Sequence, residues 1–153
     1  MLTAADIMTS QVITVTRETT VKELAELFVQ HRISSLPVVD GEGKLVGMVT
    51  ETDLIEQDRN LHIPTVISLF DGVFYLESER KLEEQLKKMT GKTVADIFTA
   101  KVETAGPGMP ISTIADIMSA NRYNAVPVVE NGKLVGIVAR IDLIRTMIAE
   151  GEV

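Results

Sequence analysis

Apolar positions in this chain follow two periods in alternation. Val21, Leu24, Ala25, Leu27 and Phe28 recur at helical spacing, and Thr20 precedes them as a cap. Shorter runs, Val12-Ile13-Thr14-Val15, Pro37-Val38-Val39 and Lys44 to Thr50, have the composition of strands. Asp40-Gly41-Glu42-Gly43 reads as the turn joining the last two into a hairpin. A further helix opens over Thr50 to Asp53 and continues through Leu54 and Ile55. The pattern then starts again. A strand near Val102-Glu103-Thr104 and a helix from Ile111 to about Ala120 begin the second round. Strands at Val126 to Val129 and Leu134 to Val138, and a helix from about Ile141 to Ala149, complete it. The predicted class is a mixed α/β fold of two tandem β-α-β-β-α repeats. Small mixed sheets flanked by helices are expected, with a pseudo-twofold relation between the copies.

The second round repeats the first almost word for word. Asp6-Ile7-Met8 returns as Asp96-Ile97-Phe98, displaced by ninety positions (6 to 96). Leu36-Pro37-Val38-Val39 returns as Val126-Pro127-Val128-Val129 at the same displacement. Lys44-Leu45-Val46-Gly47-Met48-Val49 returns as Lys133-Leu134-Val135-Gly136-Ile137-Val138, displaced by eighty-nine (44 to 133). The lost residue falls in the turn, where Asp40-Gly41-Glu42-Gly43 shortens to Glu130-Asn131-Gly132. A loop tip is where a duplicated unit tolerates deletion. Neither copy is large enough to bury its own apolar faces, so the two are expected to pack on each other and to leave related clefts for a ligand. The repeats are placed at residues 1–58 and 92–153, with residues 59–91 linking them.

Composition narrows the class. A chain of 153 residues with 45% hydrophobic content suits one compact soluble unit. Without cysteines there is no disulfide, thiol nucleophile or cysteine-rich zinc site, and a reducing cytoplasm fits. Met1 leads into a polar, helix-like start with no basic segment before an apolar one, so no signal peptide is expected. The longest apolar stretch, Ile63 to Leu76, is broken by Pro64, Ser68, Asp71 and Gly72 and is too short to span a bilayer. A net charge of −7 opposes broad binding to nucleic acid.

Three stretches, Asp6-Ile7-Met8-Thr9, Leu36-Pro37-Val38-Val39-Asp40 and Leu45-Val46-Gly47-Met48-Val49-Thr50-Glu51-Thr52-Asp53-Leu54-Ile55, make the order specific. Occurring in sequence and twice over, they make the chain resemble the CBS domain, the cystathionine-β-synthase motif, over most of its length. That resemblance implies a Bateman-type module whose strands pack side by side and whose clefts bind adenosine-containing ligands. It implies AMP, ADP or ATP as ligand, with S-adenosylmethionine and cyclic di-AMP as alternatives, and no required cofactor. It also implies association of two modules into a disc, here a homodimer.

The residues support a site at the strand-to-helix junctions. Gly47 to Asp53 runs from a strand into a helix start, where free N–H groups and the helix dipole favour an anion such as phosphate. Thr50 and Thr52 supply hydroxyls that cap the helix or donate to phosphate oxygens. Asp53 has two acceptor oxygens suited to the vicinal hydroxyls of a ribose, the role that the G-x-x-T-x-x-D word has in the family resembled. Ordinary helix capping accounts for the same residues, and both readings stand. In the second copy Asp142 is kept, Ala139 and Ile141 replace the two threonines, and Arg140 is gained. That site is expected to be occupied but weaker, with Arg140 supplying charge where hydroxyls are lost.

Arg32 and Arg122, ninety apart, precede the central strands. The resemblance places such a residue on a phosphate across the cleft, which groups Thr50, Thr52 and Asp53 with Arg122, and Asp142 with Arg32. A solvated arginine ending the preceding helix is the alternative. His31 is a further phosphate candidate. Ile13 and Ile33, or Val102 and Tyr123, offer apolar walls for adenine, although Tyr123 equally suits packing at a core edge. With only His31 and His62, a metal site has little support.

The linker does not repeat. Its apolar part, Leu61 to Leu76, holds three of the six aromatics, and a charged helix is expected over Ser78 to Met89, with Glu83/Lys87 and Glu84/Lys88 spaced for mutual support. Packing on the module and a subunit contact both suit it. No nucleophile–base set, phosphate-binding Walker loop or distinctive carboxylate pair is present, so the chain reads as a non-enzymatic regulatory module. Its output then passes through an effector protein in trans. The rival reading is a structural module that only mediates assembly.

Overall fold

The computed structural model describes residues 1–56 and 92–151. The chain divides into two compact units, each drawing on both copies of the repeat: Met1–Thr14, Val39–Gly47 and Ala100–Val153 in the first, Val15–Val38 and Met48–Thr99 in the second. The described elements are α1 (Ala4–Ile7), α2 (Val21–His31), β1 (Ser35–Val39), β2 (Leu45–Thr50) and α3 (Glu51–Glu56), then a 3₁₀ turn (Val94–Asp96). After it come α4 (Ile111–Asn121), β3 (Ala125–Glu130), β4 (Lys133–Ala139) and α5 (Arg140–Ala149). β1 pairs with β2 and β3 with β4, each as a two-stranded sheet.

The helices start and stop for local reasons. The Thr20 hydroxyl accepts the Glu23 N–H at 3.1 Å, capping α2, and Val21, Leu24, Ala25 and Phe28 are the positions it buries. α4 begins after Pro110, whose fixed φ suits a helix start, and buries Ile114 and Met118 one turn apart. Both helices end on an arginine in the left-handed region, Arg32 (φ 52°, ψ 46°) and Arg122 (φ 57°, ψ 38°). Burying Leu24, Leu36 and Ile114 completely contributes about 1.5–3 kcal/mol for each side chain.

The one-residue slip between the copies is a change of turn. Asn131 (φ 55°) and Gly132 (φ 81°) form a two-residue turn between Glu130 and Lys133, the type I′ geometry that matches strand twist. In the first copy three residues, Gly41 to Gly43, stand between Asp40 and Lys44, with Gly43 at φ 82°. There the Asp40 carboxylate accepts the Glu42 and Lys44 N–H groups at 2.8 and 3.0 Å.

Two expectations need correction. Val12–Val15 and Val102–Thr104 are not strands. The first stretch reaches its sheet through one parallel bridge, Val15 to Val38, and the second has none of its own, the matching bridge falling one residue on, Ala105 to Val128. Thr14, Lys101 and Glu103 are exposed, so a full strand there would bury little. The apolar and helical expectations for Leu61 to Leu76 and Ser78 to Met89 lie outside the described residues.

A pairing that the repeat pattern hides explains why each unit mixes the copies. Thr9 and Ile137 exchange backbone hydrogen bonds at 2.9 and 3.0 Å, and Thr99 and Met48 do so at 2.9 Å in both directions. The lead-in of the first copy therefore docks on the last strand of the second, and the reverse. Upstream, the Ala4 N–H donates to the Met109 carbonyl and the Val94 N–H to the Thr19 carbonyl, at 2.9 and 2.8 Å. In the first unit Ala4 is fully buried with Ala105, Ile114, Met118, Val126, Val128 and Val138, and Met8 and Leu143 pack against this core. Gly136 allows the close approach. A Cβ there would collide with the Met8 side chain, its Sδ nearest and its Cγ 2.9 Å away, and would lie 3.1 Å from the Thr9 carbonyl oxygen.

Candidate ligand-binding site

The first junction, between β2 and α3, is tied by a reciprocal pair of hydrogen bonds. The Thr50 N–H donates to Asp53 Oδ2 at 2.9 Å, and the Asp53 N–H donates to the Thr50 hydroxyl at 3.1 Å. The Glu51 N–H donates to the Ser34 carbonyl at 3.0 Å. Most of the helix-start N–H groups expected to meet an anion are thus already used inside the fold. The exposed Thr52, with its N–H and hydroxyl, has no hydrogen-bond partner among the described residues. Asp53 is half-buried, with Oδ2 fixed and Oδ1 uncommitted among the described residues.

The second junction, between β4 and α5, repeats this frame with one bond fewer. The Ala139 N–H donates to Asp142 Oδ2 at 2.8 Å, and the Arg140 N–H to the Asn124 carbonyl at 3.1 Å. Ala139 has no hydroxyl to accept the Asp142 N–H, so α5 starts with one more open donor than α3. Asp142 Oδ1 lies 3.9 Å from the Arg145 guanidinium, whose exposure makes this a weak pair. Arg140 and Ile141 are exposed.

The remaining candidates divide between the two units. Arg122, Tyr123 and Val102 belong to the first unit with Arg140 and Asp142, and Ile13 does also. His31, Arg32 and Ile33 belong to the second with Thr50, Thr52 and Asp53. Arg32 borders a mostly apolar hollow of about 260 Å³ with Phe28, Val29, Glu51, Leu54 and Ile55, a feature with no signal in the repeat pattern. Arg32 and Arg122 do end the preceding helices, their N–H groups returning to the Phe28 and Met118 carbonyls. Left-handed backbone is uncommon away from glycine and costs an L-residue about 1–2 kcal/mol. Both copies carry that cost at a charged, exposed side chain. Tyr123 is half-buried against the core, and its hydroxyl accepts the Glu103 N–H at 3.3 Å, which fixes the ring beside the Val102–Glu103 backbone. His31 is exposed on the last turn of α2.

Among the described residues no group of three His, Cys, Asp or Glu side chains converges as a metal site, and no helix is long and apolar enough to cross a membrane. Sequence reasoning missed the Ser34 and Asn124 carbonyls that anchor the junctions. These are backbone groups, and side-chain identity carries no sign of them.

Set beside known proteins, the chain matches the CBS domain profile twice, over residues 4–60 and 94–149, and it belongs to that family. It is 36% identical over 136 residues to protein MJ1426 of Methanocaldococcus jannaschii, covering 82% of this chain and 80% of the relative. Among solved structures it resembles Arabidopsis thaliana CBSX2 in complex with AMP, with a TM-score of 0.75, 26% identity and 99% of each chain covered. It also resembles the CBS domain pair of protein MJ0100 in complex with 5′-methylthioadenosine and S-adenosyl-L-methionine. There the TM-score is 0.71 and the identity 27%, with 97% of this chain and 98% of the other covered. The fold is accordingly a mixed α+β arrangement of tandem CBS repeats.

Proposed function

We propose that the chain is a non-enzymatic regulatory module that binds an adenosine-containing ligand at its two strand-to-helix junctions and acts on an effector protein in trans. The observation that carries this reading is the pose of Asp53 and Asp142. In both copies one carboxylate oxygen is pinned by a backbone N–H; the other is assigned to ribose hydroxyls, although at Asp142 it also lies 3.9 Å from the exposed Arg145 guanidinium. Thr50 and Thr52 at the first junction, and Arg140 at the second, supply the polar groups for a phosphate or other charged tail. Arg122 and Arg32 are assigned to phosphate, with His31 as an accessory. Ile13, Ile33, Val102 and Tyr123 are assigned to the adenine. The adenosine compounds bound by CBSX2 and by MJ0100 support the ligand class.

A second reading has an observation of its own. The Thr50–Asp53 pair is complete as a helix cap, and a purely structural module would keep it for that alone. A thermal-shift and calorimetry panel of AMP, ADP, ATP, S-adenosylmethionine and cyclic di-AMP separates the two. A ligand present at a hundred times its Kd stabilises by about 2.7 kcal/mol, several degrees in Tm for a chain of this size. Unchanged melting across the panel at millimolar ligand leaves the structural reading.

A further inference from the structure

Three residues of the second copy form a polar cluster. The Asn121 amide nitrogen donates to the Ile117 carbonyl at 2.9 Å and to Glu103 Oε2 at 3.3 Å, so both of its protons are used. The Glu103 N–H donates to the Tyr123 hydroxyl at 3.3 Å. Ninety positions earlier the counterparts are His31, Ile13 and Ile33, and the two isoleucines have no polar side-chain group.

These bonds leave one donor and one acceptor unspent. A tyrosine hydroxyl that accepts a hydrogen bond keeps its own proton to donate, and the Tyr123 proton has no acceptor among the described residues. Glu103 Oε1 is likewise uncommitted among them. Both residues are held in place. The Tyr123 ring packs against the core of its unit. Two residues beyond Glu103, the Ala105 N–H donates to the Pro127 carbonyl at 2.9 Å. The second junction is next to them, because the carbonyl of Asn124, the residue after Tyr123, accepts the Arg140 N–H at 3.1 Å.

We infer that Tyr123 and Glu103 read the base of a ligand at the second junction and select a 6-amino purine over a 6-oxo purine there. The inference rests on the adenosine-binding reading and gives it a specificity. An adenine edge presents an exocyclic amine beside a ring nitrogen that accepts. The amine donates to Glu103 Oε1, and the ring nitrogen accepts the Tyr123 proton. With the sugar held on Asp142, a 6-oxo purine in the same pose turns a carbonyl oxygen towards the carboxylate. Two acceptors then face each other with no proton between them, which disfavours the wrong base beyond the loss of one hydrogen bond. In the first copy Ile33 stands in place of Tyr123 and Ile13 in place of Glu103, so these side chains make no such distinction. Base choice is therefore sharper at the junction that has lost the two threonine hydroxyls.

Calorimetry with AMP and with inosine monophosphate tests this in Asp53→Ala, where the second junction carries the remaining binding. AMP is expected to bind about tenfold more tightly, the lower end for a hydrogen bond to a charged group because Glu103 is exposed. Glu103→Gln exchanges an acceptor for an amide that can donate to a carbonyl oxygen, so the preference should close or reverse. The side chain is exposed, and this variant is expected to melt with its parent. Tyr123→Phe keeps the ring on the core and should weaken AMP by about two- to tenfold. A Tyr123–Glu103 bond with only a structural role would lower melting in Tyr123→Phe and leave the ratio of the two affinities untouched in both variants. A ratio near one, or a preference that survives Glu103→Gln, overturns the base reading and leaves adenosine binding standing. Binding of neither nucleotide to Asp53→Ala overturns it too, and binding of neither to the parent chain overturns the adenosine reading with it.

Discussion

Thr50 and Asp53 hold each other through two hydrogen bonds of 2.9 and 3.1 Å, and Ala139 and Asp142, at the same place in the second copy, share only one of 2.8 Å. The hydroxyl lost at position 139 is therefore a difference in both the helix start and the candidate site. One residue, Thr50, serves the fold and the ligand together, so the two roles must be separated by measurement.

Thr50→Ala removes from the first junction the hydroxyl that the second lacks at Ala139. Removing a threonine cap costs about 0.5–2 kcal/mol, and urea denaturation should show a loss in that range with an unchanged slope. Ligand affinity should fall less than in Asp53→Ala, because the carboxylate keeps the Thr50 N–H as its anchor. Equal losses of affinity in the two variants would mean that the hydroxyl, and not the carboxylate, makes the main contact.

The two junctions should also differ in strength. The first has the Thr50 and Thr52 hydroxyls and the Asp53 carboxylate, and the second has Asp142 and Arg140. A hydrogen bond to a charged group is worth about 1.5–3 kcal/mol, roughly ten- to a hundredfold in affinity. In calorimetry with AMP, Asp53→Ala should remove the tighter event and Asp142→Ala only a weaker one. The ranking is wrong if Asp142→Ala abolishes the tight event and Asp53→Ala spares it. A di- or triphosphate should narrow the gap, since Arg140 then has more charge to grip.

Arg122 and Arg32 allow a variant that raises stability while lowering binding. Each sits at a helix end in the left-handed region, at φ 57° and φ 52°. Glycine relieves about 1–2 kcal/mol of backbone cost there and gives back about 0.5–1 kcal/mol through the freer unfolded chain. Arg122→Gly should thus melt slightly higher without ligand, by a net of up to about 1.5 kcal/mol. The shift produced by AMP should shrink. A variant that melts higher and keeps the full AMP shift would remove Arg122 from the site.

Much of the fold was legible because periodicity and turn chemistry agree over α2, α4 and the two hairpins. Thr20, the Asn131-Gly132 turn and the buried Leu24 and Ile114 are each where local rules put them. Two kinds of feature escaped. Val12–Val15 and Val102–Thr104 have strand composition but form no strand, with single bridges at Val15 and at the neighbouring Ala105, because pairing is decided by what lies alongside and not by propensity. The exchange of lead-ins, Thr9 with Ile137 and Thr99 with Met48, is a choice between two copies of nearly equal sequence. Local patterns cannot distinguish those partners. At the candidate site the sequence pattern singles out Asp53 and Asp142, and their anchoring to backbone N–H groups was not legible in it.

Asp6 offers a test of the first lead-in by pH. Its carboxylate accepts the Thr3 N–H at 2.8 Å and the Thr3 hydroxyl at 3.0 Å, and these bonds hold its pKa below the ordinary 3.8. A carboxylate with a lowered folded pKa stabilises the fold above its unfolded value, and the contribution disappears as pH falls through the folded one. Asp6→Asn should therefore melt lower than the parent at pH 7, with the difference closing below about pH 4. A gap that persists unchanged to pH 2.5 would show that the carboxylate charge is not what holds α1.

Gly136→Ala tests the docking of that same lead-in sterically. The added Cβ would meet the flexible Met8 side chain, which can swing aside, and would lie 3.1 Å from the Thr9 carbonyl oxygen, which cannot do so freely. That oxygen accepts the Ile137 N–H at 3.0 Å, so relief of the contact strains a bond that joins the two copies. Overpacking of this kind costs about 1–3 kcal/mol. Gly106→Ala, with nothing within 4 Å of its new methyl, should change stability by much less. Adding Met8→Ala to Gly136→Ala removes the side-chain part of the clash, so the two losses should sum to more than the double variant shows. Strict additivity in urea denaturation, or equal losses at Gly106 and Gly136, would mean that Met8 and Gly136 do not share the contact.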